Sequence, residues 1–285
     1  MQVFSDKASL QKHVAELKAN QLTIGFVPTM GALHEGHLSL VSKGLEACDK
    51  LIVSIFVNPT QFNEKADLDA YPRQVEKDLD VLKIHSEKLL IYTPSVSEMY
   101  PDGQQIEAVD FGLLTSTMEG KFRPGHFDGM VDIVRRLFDH SQADIAFFGQ
   151  KDFQQLSIIR HFVRKEMIPI SIVACPIVRQ EDGLALSSRN ARLSADERQT
   201  ALALSKHLNT LKSLKAEKSL SEALHQIRTE LNADPKLTLE YIECIDSQTF
   251  ESCESWNDST EITCCIAAYV GNIRLIDNIL LSTKS

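Results

Sequence analysis

Two histidines flank a glycine in the segment PTMGALHEGHLSLV, at His34 and His37, directly after a short apolar run. Imidazoles donate hydrogen bonds to phosphate oxygens, and do so more strongly when protonated. A helix start adds unsatisfied N–H groups and a positive partial charge, both suited to an anion. Gly36 lets the backbone come close to such a ligand. The H-x-G-H spacing fits two surface histidines at a loop–helix junction equally well, so alone it leaves both readings open. A metal site is the weaker reading. A third ligand at matching spacing is missing, and Glu35 is not placed as in H-E-x-x-H.

Three further segments carry polar chemistry just beyond apolar runs. In VNPTQF, Asn58 and Gln61 offer uncharged amides for hydroxyls or a carboxylate, although a turn with structural Asn and Gln is the commoner reading. In FGQKDFQQL, Gly149, Gln150, Lys151 and Asp152 precede Gln154 and Gln155. Lys151 can reach phosphate, and Asp152 suits a helix cap or a partner for the lysine. In LSSRN, Leu186 leads into Ser187, Ser188, Arg189 and Asn190, hydroxyls and a guanidinium that match a polyphosphate or a polar interdomain loop. The basic segment KFRPGH, residues 121–126, is a fourth candidate, over a site or simply solvated.

These segments need elements to position them. Residues 6–19 predict an amphipathic helix, with Leu10, Val14 and Leu17 at helical spacing. A strand over 22–27, ending at Pro28, a helix over 36–47 and a strand over 51–57 follow. The run LIVSIFV reads as a strand buried on both faces. Helix 73–83, strand 88–92, helix 129–139, strand 143–148, helix 153–166 and strand 170–174 continue the alternation. The expectation is a Rossmann-like, doubly wound parallel α/β sheet over residues 1–180, with ligands beyond the carboxyl ends of its strands. From residue 185 the pattern changes. The capping boxes Ser194/Glu197 and Ser219/Glu222 each open a helix, and strand-like runs follow at 238–245, 262–270 and 273–280. That predicts a smaller α+β domain over 185–285.

With 285 residues, 43% of them apolar, the chain can bury a large core. Its formal net charge of −9, without a basic block, argues against a nucleic-acid partner. It leaves a nucleotide ligand open, because a few local cations suffice for phosphate. The six cysteines form no C-x-x-C pair and predict reduced, buried thiols. The N-terminus has no apolar signal-peptide core, and no apolar stretch approaches the roughly 20 residues of a membrane span. A cytoplasmic protein is expected.

The ordered motifs PTMGALHEGHLSLV, VNPTQF, YPR, RPGHFDG, FGQKDFQQL and DGLALSSRN, with RLIDN near the end, resemble pantothenate synthetases over nearly the whole chain. H-x-G-H alone would mark only the wider nucleotidyltransferase group. The resemblance implies an ATP-dependent condensation of pantoate with β-alanine through a pantoyl-adenylate, releasing pyrophosphate and then AMP. It implies ATP binding by Met30, Gly31, Ala32, Leu33, His34, Glu35, Gly36 and His37, by Gly149, Gln150, Lys151 and Asp152, and by Val178, Leu186, Ser187, Ser188 and Arg189. Pantoate falls to Gln61 and Gln155, with Gln61 also serving β-alanine, and Met30 and Asn58 join the substrate site.

Catalysis is then assigned to His37, as proton donor or charge stabiliser, with His34, Lys151 and Arg189. Mg²⁺ accompanies ATP, and the family's metal region falls after Tyr71-Pro-Arg73, where Asp78 is the expected ligand. Lys77 stands where some relatives carry a second acid. A homodimer through the N-terminal domain and a C-terminal lid are also implied. The stretch Met130-Val131-Asp132 departs from the small or β-branched residues usual in the family, and places Asp132 on an exposed helix face or near the dimer contact. A cytidylyltransferase would share His34 and His37, but would have no reason for Gln61 and Gln155 together with SSRN. A catalytically silent nucleotide-binding protein is opposed by intact His37, Lys151 and Arg189. A tRNA synthetase is opposed by size and charge.

Overall fold

A computed structural model describes residues 1–62, 65–84 and 87–282, with the backbone alone described at Ser282. The chain divides into two compact units, residues 1–150 with 154–176, and residues 151–153 with 177–285. In chain order the first contains β1 (Gln2–Phe4), α1 (Lys7–Ala19), β2 (Ile24–Thr29), α2 (Glu35–Ala47), β3 (Lys50–Ile55), α3 (Lys65–Asp69) and α4 (Val75–Lys83). It continues with β4 (Leu89–Tyr92), α5 (Val96–Met99), α6 (Leu113–Ser116), α7 (Met118–Phe122), α8 (His126–Ser141), β5 (Ile145–Gly149), α9 (Phe153–Lys165) and β6 (Ser171–Cys175).

The six strands form a parallel sheet in the order β1-β4-β3-β2-β5-β6. Side chains alternate across it. From β3, Ile52 joins Phe26, Leu90 and Phe148 in a cluster with α1, α8 and α9. Leu51, Val53 and Ile55 face the other way, against Leu40 and Val41 of α2 and Leu82 of α4. Helices cover both faces, as hydrophobic runs buried on both sides require.

The strand order reverses between β2 and β5, so the crevice at their carboxyl ends is the switch point where such sheets receive ligands. Pro28 does not end β2 as its sequence suggests; the strand runs on to Thr29. Its register with β5 covers only Gly25 and Phe26, whereas pairing with β3 continues to Thr29. The sheet has therefore parted from β5 before proline's missing N–H is reached.

The second unit contains α10 (Ala195–Leu214), α11 (Leu220–Asn232) and the antiparallel strands β7 (Leu237–Asp246), β8 (Glu261–Val270) and β9 (Ile273–Ser282). Both expected capping boxes are present, at Ser194/Glu197 and Ser219/Glu222. Leu204, Leu208 and Leu211 of α10 and Leu220, Ile227 and Leu231 of α11 pack on Ile242, Ile262 and Ile266 of the sheet. All six cysteines are buried free thiols. Among the described residues, no helix is long and apolar enough to cross a membrane.

Candidate active site

The loop after β2 is bent by two consecutive left-handed residues, Gly31 at φ 77° and Ala32 at φ 50°. A Cβ at Gly31 would lie 2.9 Å from Asp78 Oδ2 and 3.1 Å from Ile55 Cγ2, so position 31 needs glycine for space as well as for φ. The Gly31 N–H donates to Thr29 Oγ1 at 3.2 Å, and Thr29 Oγ1 donates to the Ser54 carbonyl at 2.7 Å. Ala32 and Leu33 donate their N–H groups to Asp78 Oδ2 and Oδ1, at 2.9 and 2.8 Å.

His34 is the N-cap of α2, its Nδ1 accepting the Gly36 N–H at 3.1 Å. An accepting Nδ1 carries no hydrogen, so the neutral ring holds its proton on Nε2 and offers that N–H as a donor. The His37 ring stacks beside it, centroids 4.0 Å apart at 32°. Two half-buried imidazoles thus sit at the amino end of a 13-residue helix. That arrangement can hold and polarise a phosphate.

Beyond β3, the amide of Asn58 is committed to the protein's interior. Asn58 is only 1% exposed. Its Oδ1 accepts the Tyr100 hydroxyl at 2.7 Å and Thr60 Oγ1 at 3.0 Å, and its Nδ2 donates to the Gly129 carbonyl at 3.2 Å. These bonds tie the loop after β3 to Tyr100 and to α8. Burial pushes the Tyr100 phenol up to about 12, so it remains a donor. Gly129 must be glycine because a Cβ would run into the Thr60 carbonyl.

Gln61 is half-buried, and its carbonyl lies 2.8 Å from His126 Nδ1, which links the loop to the start of α8. The KFRPGH segment is therefore joined to the substrate-loop candidate. At the start of α9, Gln154 is 4% exposed and binds the carbonyls of Leu114 and Thr117 and the N–H of Glu119. It fastens α6 and α7, while Gln155 beside it stays half-buried. Asp132 does not lie on an exposed helix face. Its side chain, 12% exposed, pairs with Arg136 at 2.9 Å, and Arg136 lies over the Tyr100 ring.

In the second unit the remaining candidates hang on β9. Asn278 Nδ2 donates to the Lys151 carbonyl at 2.8 Å. Asp277 receives a two-pronged pair from Arg179, Nη1 to Oδ2 at 2.6 Å and Nη2 to Oδ1 at 2.9 Å. Arg179 also donates to the Gly183 carbonyl, closing a small hairpin in which Leu186 N–H meets the Val178 carbonyl at 3.0 Å. Ser187 caps the 3₁₀ turn Ser188–Arg192 by accepting the Arg189 N–H. Sequence reasoning gave Asp277 and Asn278 no role beyond the RLIDN likeness. Their signal was two polar residues, both buried, inside an apolar strand run.

The chain matches the family model for pantoate-beta-alanine ligase over residues 2–280. That decides the assignment. This chain belongs to the pantoate-beta-alanine ligase family. It is 46% identical over 279 residues to the pantothenate synthetase of Bacteroides fragilis, covering 98% of both chains. The Porphyromonas gingivalis protein of the same name is 44% identical over 282 residues, covering 98% of this chain and 99% of that one. Among solved structures, pantothenate synthetase from Thermus thermophilus superimposes with a TM-score of 0.89 at 37% identity, over 99% of this chain and 100% of that one. The ligase of Francisella tularensis, crystallised with beta-gamma ATP and beta-alanine, gives 0.81 at 34%, over 99% and 98%.

For a ligase of this family, a protein-held metal was expected at Asp78. The geometry does not fit one. Asp78 is 2% exposed and both its oxygens already accept backbone N–H groups. Its neighbours Glu76 and Lys77 are exposed. Among the described residues, no three His, Cys, Asp or Glu side chains come together as a metal site.

Proposed function

We propose that the chain joins pantoate to β-alanine in two steps driven by ATP. The observation that carries the proposal is the imidazole pair at the amino end of α2, presented at the switch point of the sheet by a loop of fixed shape. In the first step a pantoate carboxylate oxygen attacks the α-phosphorus, and the bond from that phosphorus to the β-phosphate bridging oxygen breaks. Charge builds on the phosphate oxygens, and preorganised donors lower its cost. His34 supplies Nε2–H, and His37 donates to, or protonates, the developing charge. Lys151, Ser187, Ser188 and Arg189 are proposed as further donors to the triphosphate.

In the second step the β-alanine amine, having lost a proton, attacks the acyl carbon. The acyl C–O bond breaks and the oxygen leaves on AMP. Gln61 and Gln155 are proposed to orient pantoate, with Met30 packed against it. The acyl-adenylate must be kept from water, which would hydrolyse it. Mg²⁺ is proposed to arrive with ATP, held by phosphate and water oxygens, as its coordination habits favour. The buried free thiols support a reducing, cytoplasmic setting. A homodimer is proposed on the family resemblance alone.

The oxygen bookkeeping supplies the test. Pantoate labelled with ¹⁸O in its carboxylate should pass one label to AMP for every pantothenate formed. Unlabelled AMP formed alongside pantothenate would exclude the acyl-adenylate route.

A further inference from the structure

The Asp78 carboxylate accepts the backbone N–H groups of both Ala32 and Leu33. Two consecutive left-handed residues, Gly31 and Ala32, turn the N–H groups of Ala32 and Leu33 the same way. Such convergent N–H groups make an anion-binding concavity. Here the anion is internal. Asp78, in the first turns of α4, fills it with one oxygen per N–H. Charge-assisted bonds of this kind are about twice as strong as neutral ones. They offset the left-handed backbone at Ala32, which lacks glycine's freedom. Gly31 and Asp78 also match sterically, since any Cβ at position 31 would press on Oδ2. One residue further along is His34, the cap of α2.

We infer that Asp78 is a positioning residue, which acts through the Ala32 and Leu33 amides to fix the loop that presents His34 and His37. This rests on the reading that the loop receives ATP. It also explains how a buried acid is accommodated here: each of its two oxygens accepts a backbone N–H. The nucleotide is then left to the α2 amino end and the imidazoles.

Asp78→Asn tests this directly, because the amide keeps the shape but sets an NH₂ against one of the two loop N–H groups. We expect kcat to fall about 10²-fold, the scale of a misplacement near 1 Å, with the Mg²⁺ concentration for half-maximal rate unchanged. Gly31→Ala, which crowds the same carboxylate, should give the same pattern. Undiminished kcat in Asp78→Asn would overturn the inference. So would a rate restored by raising Mg²⁺ or supplying Mn²⁺, the signature of a metal ligand.

Hydrogen exchange on the wild-type protein tests the clamp if the variants do not fold. The Ala32 and Leu33 amides should be protected with or without Mg²⁺, and exchange at the unprotected rate would sink the idea. If wild-type protein makes no AMP from pantoate, the functional reading fails, and the exchange measurement still decides the clamp.

Discussion

His34 has two tasks that ordinary mutagenesis would confuse. Its Nδ1 caps α2, which leaves the proton of the neutral ring on Nε2, the atom proposed to donate to phosphate. Asparagine caps through its side-chain oxygen but cannot reproduce the ring donor. His34→Asn should therefore leave thermal stability nearly unchanged and lower kcat by about 10²–10³-fold. His34→Ala should match that loss and also cost about 1 kcal/mol of stability. Equal destabilisation by both would contradict the division of labour.

His140 makes the opposite case, a histidine without a catalytic task. It lies 2.8 Å from the Tyr92 hydroxyl, and burial holds it below the ordinary histidine range, with Lys7 acting the same way and Asp139 opposing. A depressed folded value means the unfolded chain binds more protons just below its own value of about 6.5. Stability should thus fall on acidification below about pH 6.5. Thermal melts of wild type and His140→Gln should show a shallower acid slope in the variant. At this scale the sequence separates residue types but not their surroundings. Asn58 and Gln61 are chemically alike, and only burial shows that the Asn58 amide faces inward while its neighbour's remains half-exposed.

Elements were legible where pattern and cap agreed. Both Ser…Glu capping boxes opened helices at the expected residues, since the signal is local and reciprocal. Three-residue β1 and the short helices α5 to α7 escaped, being too brief for any periodicity to register. Pro28 misled because pairing depends on where the neighbouring strand ends. β9 hides its function in a strand pattern, with Asp277 and Asn278 gathering Arg179 and Lys151. Asp277→Ala leaves a guanidinium without its carboxylate. The loss should be roughly 2–3 kcal/mol, below that of a fully buried pair because Arg179 keeps some exposure. Urea denaturation measures it, and no change in midpoint would mean the fork is not stabilising.

For the whole molecule, alternation of apolar strands with amphipathic helices was enough to specify a parallel sheet covered on both faces. The boundary between the units was harder. Lys151–Phe153 belong to the second unit although they sit in the middle of the first unit's sequence, a matter of packing that no composition shift marks. The fold should not depend on a cation, because its buried acids are satisfied from within, Asp78 by backbone N–H groups and Asp277 by Arg179. Chelation with EDTA is expected to stop turnover and leave the melting temperature of the ligand-free protein where it was. A large drop would reveal a structural metal.

Adenylation of pantoate is the proposed task of the imidazoles at the start of α2. It is tested most directly by following AMP and pyrophosphate from ATP and Mg²⁺ with pantoate, with and without β-alanine, for wild type and His37→Ala. Sustained AMP release is expected only with both substrates, with a loss of about 10²-fold or more in the variant. AMP release indifferent to pantoate, or an undiminished rate in His37→Ala, would contradict it.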